Sequence, residues 1–332
     1  MKIAIVGAGA IGGFLGNRLA RSGEDVTAIA RGATADALRK FGWRMDSGGV
    51  RVTTPAKVEV DAAKAGAQDV VIVAVKGPAM AEVAPTLRAL LRDDTAVVTA
   101  MNGIPWWFAH HLPALAGVRP LESVDPGGRI IDAIPAAHVI GCVVHMAASV
   151  SEPGVVRHAL GQQFIIGEAS GAATPRLARI ADAFRSAQLD AVVSPAIHRD
   201  IWYKLWGNMT MNPVSALTGA TMDRILDDPL AHRFCLSVME EAAAIGRAIG
   251  CPVEQSGEDR QKITRSLGAV RTSMLQDVEA GRPLEIDALL SSVREIGGRM
   301  GIATPELDAL TGLVRLKART LGLYPPAADE AR

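Results

Sequence analysis

Short apolar runs alternate with amphipathic stretches through the first half of the chain, and that alternation predicts strands and helices in turn. Lys2-Ile3-Ala4-Ile5-Val6 is an apolar run closed by glycines, after which Ile11, Phe14, Leu15 and Leu19 recur at helical spacing up to Ser22-Gly23. Further apolar runs predict strands over 26–30, 69–75 and 95–100, with a helical stretch over 80–91 between the last two. Near-continuous Val/Ile/Ala strands alternating with helices predict a parallel sheet covered on both faces.

The texture changes over 139–166, where Val-Ile-Gly-Cys-Val-Val and Gln-Phe-Ile-Ile-Gly flank a Ser-Glu-Pro-Gly turn at 151–154. That pattern predicts antiparallel strands appended to the sheet. An amphipathic helix over 175–186 and a short strand over 191–193 follow. Beyond Pro195 nearly everything has helical period, broken at Gly219, Gly250-Cys251-Pro252, Gly281-Arg282-Pro283 and Gly301. The expected organisation is an α/β domain over 1–194, an all-helical domain over 195–326 and a frayed tail over 327–332.

With 332 residues, 49% of them hydrophobic and 21% charged, the chain has ample material for two folded domains. Lys plus Arg, 35, balance Asp plus Glu, 35, so no basic excess marks a nucleic acid or an anionic membrane as partner, and a small molecule is expected instead. Glycines interrupt the apolar start by Gly7, unlike a secretory signal, and no stretch reads as a membrane span. Cys142, Cys235 and Cys251 are odd in number and widely spaced, which suits a reducing compartment, so a cytoplasmic protein is expected. There is no Cys-x-x-Cys, His-Glu-x-x-His or Gly-x-Ser-x-Gly, so zinc and hydrolase chemistry lack a foothold and no metal is expected. His145, on a predicted strand, reads as core or cleft wall.

Gly7-Ala8-Gly9-Ala10-Ile11-Gly12 fits G-x-G-x-x-G between an apolar strand and an amphipathic helix. The first glycine permits a tight turn, the second lets backbone approach a pyrophosphate, and the third lets helix pack on strand, while the helix N-terminus offers amides and dipole. This is the dinucleotide-binding signature of a Rossmann domain. The second predicted strand ends Ala28-Ile29-Ala30-Arg31, with no carboxylate where one would select the free ribose hydroxyl of NAD, so Arg31 argues for NADP(H) over a merely solvated arginine. Lys76 and Asn102-Gly103 each close a predicted strand, where ligands of open parallel sheets bind. On position alone, each reads equally well as a snorkelling charge or a turn.

These residues, with Trp202-Tyr203-Lys204-Leu205-Trp206-Gly207-Asn208, Asn212-Pro213, Ser273-Met274-Leu275-Gln276-Asp277 and Glu285-Ile286-Asp287, form a pattern that resembles the ketopantoate reductases (2-dehydropantoate 2-reductases) over nearly the whole chain. The resemblance implies a Rossmann domain joined to a helical one, NADPH between them, and reduction of 2-dehydropantoate to (R)-pantoate in pantothenate biosynthesis. It assigns Lys76 and Asn102 to the cofactor, with Asn102 also at the substrate. It makes Lys204 the proton donor to the ketone oxygen. Glu285 it places at the reacting centre as a catalytic or positioning carboxylate, and Asn208, Asn212 and Ser273 at the substrate.

Lys204, Asn208 and Asn212 are spaced by four on a predicted helix, so each lies only about 40° round from the last and all share one face. Trp202, Leu205, Trp206 and Met209 surround that face, and partial desolvation would lower the lysine pKa and make its ammonium a better acid. The bland alternative is a lysine with its stem on apolar surface and its head in water. Ser273 could equally sit on a helix surface, and Glu285 could simply stabilise a helix N-terminus.

The chain also departs from the family. Met222 and Val270 stand where substrate-binding asparagines are expected, and Ala288-Leu289-Leu290-Ser291 replaces the usual Asn-Gly after Glu-Ile-Asp. Apolar side chains at the first two positions remove hydrogen-bond partners for substrate oxygens. Pro105-Trp106-Trp107-Phe108-Ala109-His110-His111 adds aromatic bulk that either lines a cleft or packs a loop. Two functions fit: a reductase of 2-dehydropantoate or a related 2-oxo acid, and a non-catalytic NADP(H)-binding redox sensor. Only the first explains the Lys204 face. Abundant apolar helical surface after Pro195 permits a homodimer through the helical domain.

Overall fold

A computed structural model describes residues 1–117 and 120–326. The expected tail over 327–332 lies outside them. The chain divides into two compact units: Met1–His111 with Gly128–Asp200, and Leu112–Gly127 with Ile201–Arg332.

The first unit is built on one sheet of β1 (Lys2–Val6), β2 (Asp25–Ile29), β3 (Trp43–Ser47), β4 (Val50–Thr54), β5 (Lys57–Glu59), β6 (Val70–Val73), β7 (Ala96–Thr99), β8 (Val139–Glu152), β9 (Val155–Glu168) and β10 (Asp190–Val193). The order across it is β4-β3-β9-β8-β7-β6-β1-β2-β5, with β10 paired to β9. β6 and β7 are buried at every position and apolar at all but Thr99, which is what a strand covered on both faces requires. β1 pairs in parallel with β2 on one side and β6 on the other, and β5, β7 and β8 extend the parallel set. The chain thus runs outward from β1 to β2 and β5, then returns to run outward through β6, β7 and β8. The reversal falls between β1 and β6, and ligands of such sheets bind outside the carboxyl ends of the strands at that point.

The sheet is mixed, as the 139–166 pattern predicts. β8 and β9 form a long antiparallel hairpin whose turn glycine, Gly154, has φ +74°. A second hairpin, β3–β4, turns through Gly48 and Gly49 and lies parallel to β9. Helix α1 (Ala10–Arg21) touches both this region and β1. Its buried Asn17 donates to the Trp43 carbonyl at 3.1 Å, and Gly16 leaves room for the Trp43 indole, which an added Cβ would approach to 2.5 Å. Helices α2 (Gly32–Phe41), α3 (Ala62–Ala65), α4 (Met80–Leu87), α5 (Arg129–Ala133) and α6 (Pro175–Ser186) complete the unit. Thr174 caps α6 by accepting from the Leu177 amide, with Pro175 at the first helical position.

The second unit is helical: α7 (Ile197–Thr218), α8 (Met222–Asp227), α9 (Pro229–Ala248), α10 (Gly257–Ser266), α11 (Ser273–Glu279), α12 (Ser292–Arg299) and α13 (Pro305–Thr320), with a π-helical turn at Asp287–Ser291. The first turn of α7 groups with the first unit and the rest with the second. Residues Leu112–Gly127, within the span expected for the α/β domain, group with the helices for a polar reason. The Glu295 carboxylate of α12 accepts from the Glu122 and Ser123 amides, both at 2.9 Å, and Arg299 donates to the Pro120 carbonyl at 2.9 Å. Among the described residues, no helix is long and apolar enough to cross a membrane.

Candidate functional site

In the first unit the sequence-predicted residues follow the carboxyl ends of neighbouring parallel strands. The turn from β1 into α1 is Gly7 to Gly12, and two of its glycines are there for space. Gly7 has φ +90°, and an added Cβ would lie 2.7 Å from Val75 Cγ1, because the turn presses against the end of β6. At Gly12 a Cβ would lie 2.0 Å from the Gly7 carbonyl oxygen. Gly9 differs: φ is −80°, and nothing lies within 4 Å of where its Cβ would be.

No side chain caps the N-terminus of α1 and no acidic residue occupies its first turn. Its amides are therefore open to an anionic ligand approaching over Gly9, and the pyrophosphate of a dinucleotide fits that cradle. Arg31 follows β2, Lys76 follows β6 and Asn102 follows β7, so all three stand at the carboxyl ends of parallel strands flanking the motif. Ala8 is buried, whereas Ala10 and Ile11 open α1 half-buried. Arg31 is exposed and pairs with Glu82 of α4 at 2.9 Å.

In the second unit the polar stripe is real. α7 is continuous through Lys204, Asn208 and Asn212; the first two are half-buried and Asn212 is buried. The helix is held by its other faces. Trp206 Nε1 donates to the Met239 carbonyl of α9 at 2.7 Å, and Trp202 lies so close to Gly246 that a Cβ there would meet its indole nitrogen at 2.3 Å. The Arg260 guanidinium packs on Gly207 and over the Tyr203 ring, 5.6 Å from its centroid. Pro213 inside the helix removes the amide that would bond the Met209 carbonyl.

Ser273 is exposed in the first turn of α11, behind the Thr272 cap that accepts from the Leu275 amide. Glu285 is half-buried immediately before the helical segment that opens with the π-turn, a distortion common at functional sites. That segment is anchored by the Leu284 amide on the Leu323 carbonyl at 3.1 Å and by Tyr324 Oη on Asp287 at 2.6 Å. Burial, helped by the same contact, pushes the Tyr324 hydroxyl pKa up to about 12.

With this geometry in hand, likeness to known proteins decides the family. The ketopantoate reductase PanE/ApbA family model matches residues 3–171, and its C-terminal counterpart matches 196–318. The chain belongs to the ketopantoate reductase family. A 2-dehydropantoate 2-reductase of Mesorhizobium japonicum is 43% identical over 330 residues, 98% of this chain and all of that one. A crystal structure from Ralstonia solanacearum MolK2, provisionally assigned as a ketopantoate reductase, is 58% identical, with TM-score 0.94 over 97% of this chain and 99% of the other. The 2-dehydropantoate 2-reductase of Geobacter metallireducens GS-15 is 28% identical, with TM-score 0.84 over 96% and 100%. Like its family, this ketopantoate reductase relative is a pyridine-nucleotide-dependent oxidoreductase acting on CH–OH groups.

Within this family member, the two apolar substitutions at expected amide positions are neighbours: the Met222 amide, opening α8, donates to the Val270 carbonyl at 3.0 Å. Ser215 Oγ, close in azimuth to Lys204 on α7, donates to the Ala220 carbonyl at 2.6 Å and draws that loop back along the stripe. The aromatic segment packs a loop. Trp106, Trp107 and Phe108 are buried in the unit that holds them, and Trp107 Nε1 donates to Thr99 Oγ1 at 3.3 Å.

His145 is a correction: it lies on β8 but is exposed, so it is not core, because the hairpin leaves the body of the sheet there. Sequence reasoning also missed His198, in the first turn of α7. It is buried against Trp107 and Phe108, ring centroids 5.2 and 5.1 Å away, and its Nε2 has no partner among the described residues. Burial, with the charge of His111 nearby, pushes its pKa down to about 4.

Proposed function

We propose that this protein reduces a 2-oxo acid to the 2-hydroxy acid with NADPH, and that the reaction is 2-dehydropantoate to (R)-pantoate. The first unit holds NADP(H): the turn Gly7-Ala8-Gly9 lets the pyrophosphate approach the α1 amides of Ala10, Ile11 and Gly12, Arg31 takes the 2′-phosphate, and Lys76 and Asn102 serve at the same strand ends. When bound, NADPH supplies the hydride.

The helical unit supplies the rest. Hydride addition turns the ketone oxygen into an alkoxide, and Lys204 gives that oxygen a proton from Nζ. Asn208, Asn212 and Ser273, with Asn102, bind the substrate. Glu285 orients the ammonium and holds it charged. The observation that carries this reading is the stripe of Lys204, Asn208 and Asn212 on one face of α7, whose other faces are fixed by Trp202 and Trp206. A redox sensor has no use for such a face.

Three buried thiols, Cys142, Cys235 and Cys251, fit a cytoplasmic location, and the exposed Leu313 and Leu316 on α13 fit a homodimer through the helical unit. The test is a panel of 2-oxo acids assayed for NADPH oxidation. Turnover of 2-dehydropantoate or a branched relative is expected. NADPH binding without turnover of any member would leave only the sensor.

A further inference from the structure

Arg31 is not alone at the carboxyl end of β2. Glu82, in the first turn of α4, reaches it from another part of the chain and accepts from its Nη1 at 2.9 Å. Both side chains are open to solvent, 58% and 72% exposed, so the pair can rearrange when a ligand arrives. The one carboxylate on α2, Asp36, faces Arg39 at 3.5 Å.

We propose that Glu82 is a specificity-determining residue that competes with the 2′-phosphate of NADP(H) for Arg31 and narrows the discrimination against NADH. This rests on the assignment of Arg31 made above. NAD sites ordinarily carry an acidic residue at the end of the second strand to accept from the ribose 2′-hydroxyl, and NADP sites an arginine there. Here both chemistries meet at one place, the arginine from β2 and the carboxylate from α4. A phosphate carries about −1.5 to −2 charge and three acceptor oxygens that grip a guanidinium bidentately, so it displaces the carboxylate. Glu82 remains tethered next to it and repels it. NADH brings no charge to this point, and its hydroxyl can donate to Glu82. The carboxylate therefore weakens one cofactor and not the other.

The experiment measures dissociation constants of NADPH and NADH, by nicotinamide fluorescence, for the unmutated full-length protein, Glu82→Gln and Arg31→Ala. Glu82→Gln should tighten NADPH by roughly three- to tenfold, the size expected for one unit charge several ångströms from a phosphate near the surface, and more at low salt than at high. NADH should bind equally well or slightly more weakly. Arg31→Ala should weaken NADPH and leave NADH nearly unchanged. If Arg31→Ala collapses the preference but Glu82→Gln leaves the ratio of constants unmoved or shifts it toward NADH, Glu82 has no such role and the assignment of Arg31 stands. If Arg31→Ala does not change the ratio, the assignment of Arg31 fails and the role of Glu82 falls with it.

Discussion

Alanine substitutions at Gly9 and Gly12, three residues apart in the β1–α1 turn, should separate folding from cofactor binding. At Gly12 the new methyl would sit 2.0 Å from the Gly7 carbonyl oxygen and 3.0 Å from Ile5 Cγ2. Ordinary carbon–oxygen contacts are more than 1 Å longer, and the obstacle is backbone, so the β1–α1 turn must move. Overpacking of this kind costs about 3 kcal/mol at the upper end of the usual range, enough to lower Tm by several degrees.

At Gly9 there is nothing within 4 Å of the new methyl, and φ −80° with ψ −151° is extended backbone open to alanine. The fold should change by less than about 0.5 kcal/mol. The methyl instead occupies the space over which a pyrophosphate approaches the α1 amides. Losing one or two hydrogen bonds to a charged group, about 1.5–3 kcal/mol each, weakens NADPH by roughly 10–10⁴-fold. Thermal unfolding by circular dichroism and NADPH fluorescence titration, run on both variants, give the two readouts. Gly9→Ala binding NADPH as tightly as the unmutated protein, or Gly12→Ala unfolding at the unmutated temperature, would refute the reasoning.

Lys204→Ala should lower kcat by about 10²–10⁴-fold with little change in NADPH binding, whereas Lys204→Arg keeps the charge but cannot give up a proton near neutral pH; full activity in the arginine variant would move proton donation elsewhere. Met222→Asn returns a donor and acceptor to the apolar pair with Val270, and kcat/KM for 2-dehydropantoate should rise about two- to tenfold, one net hydrogen bond, against no change if that pair lies away from substrate. His198 is held neutral with a pKa of about 4 against about 6.5 in the unfolded chain. Its contribution is therefore complete above pH 6.5 and lost as pH falls toward 4, up to about 3 kcal/mol. Urea unfolding followed across that window should show a shallower loss in His198→Asn than in the unmutated protein, and parallel curves would contradict the assignment.

Much of this fold was legible because burial on both faces leaves a plain signature. β6 is apolar throughout, and β1 and β7 are apolar except for Lys2 and Thr99 at their ends, while the glycine motif sits between strand and helix as its chemistry requires. β3 and β4 went unread although their signal was present: Trp43-Arg44-Met45-Asp46-Ser47 and Val50-Arg51-Val52-Thr53-Thr54 alternate around Gly48-Gly49, a half-exposed hairpin pattern weaker than a buried run. The grouping of Leu112–Gly127 with the helices was not legible, since it depends on Glu295, more than 170 residues later. The same holds for Glu82 beside Arg31, where the rule for cofactor choice looks only to the end of the second strand. His145 misled because a strand assignment does not say which strand leaves the body of the sheet.

The central claim is that hydride passes to the carbonyl carbon of a 2-oxo acid while Lys204 protonates its oxygen. Its most direct test is transfer of label from NADPH deuterated on the reactive face of its nicotinamide C4, incubated with 2-dehydropantoate and followed by NMR of the product. Deuterium bound to C2 of pantoate, formed at a rate that collapses in Lys204→Ala, is the expected result. Tight binding of the labelled cofactor with no labelled hydroxy acid, from 2-dehydropantoate or any 2-oxo acid of the panel, would contradict it.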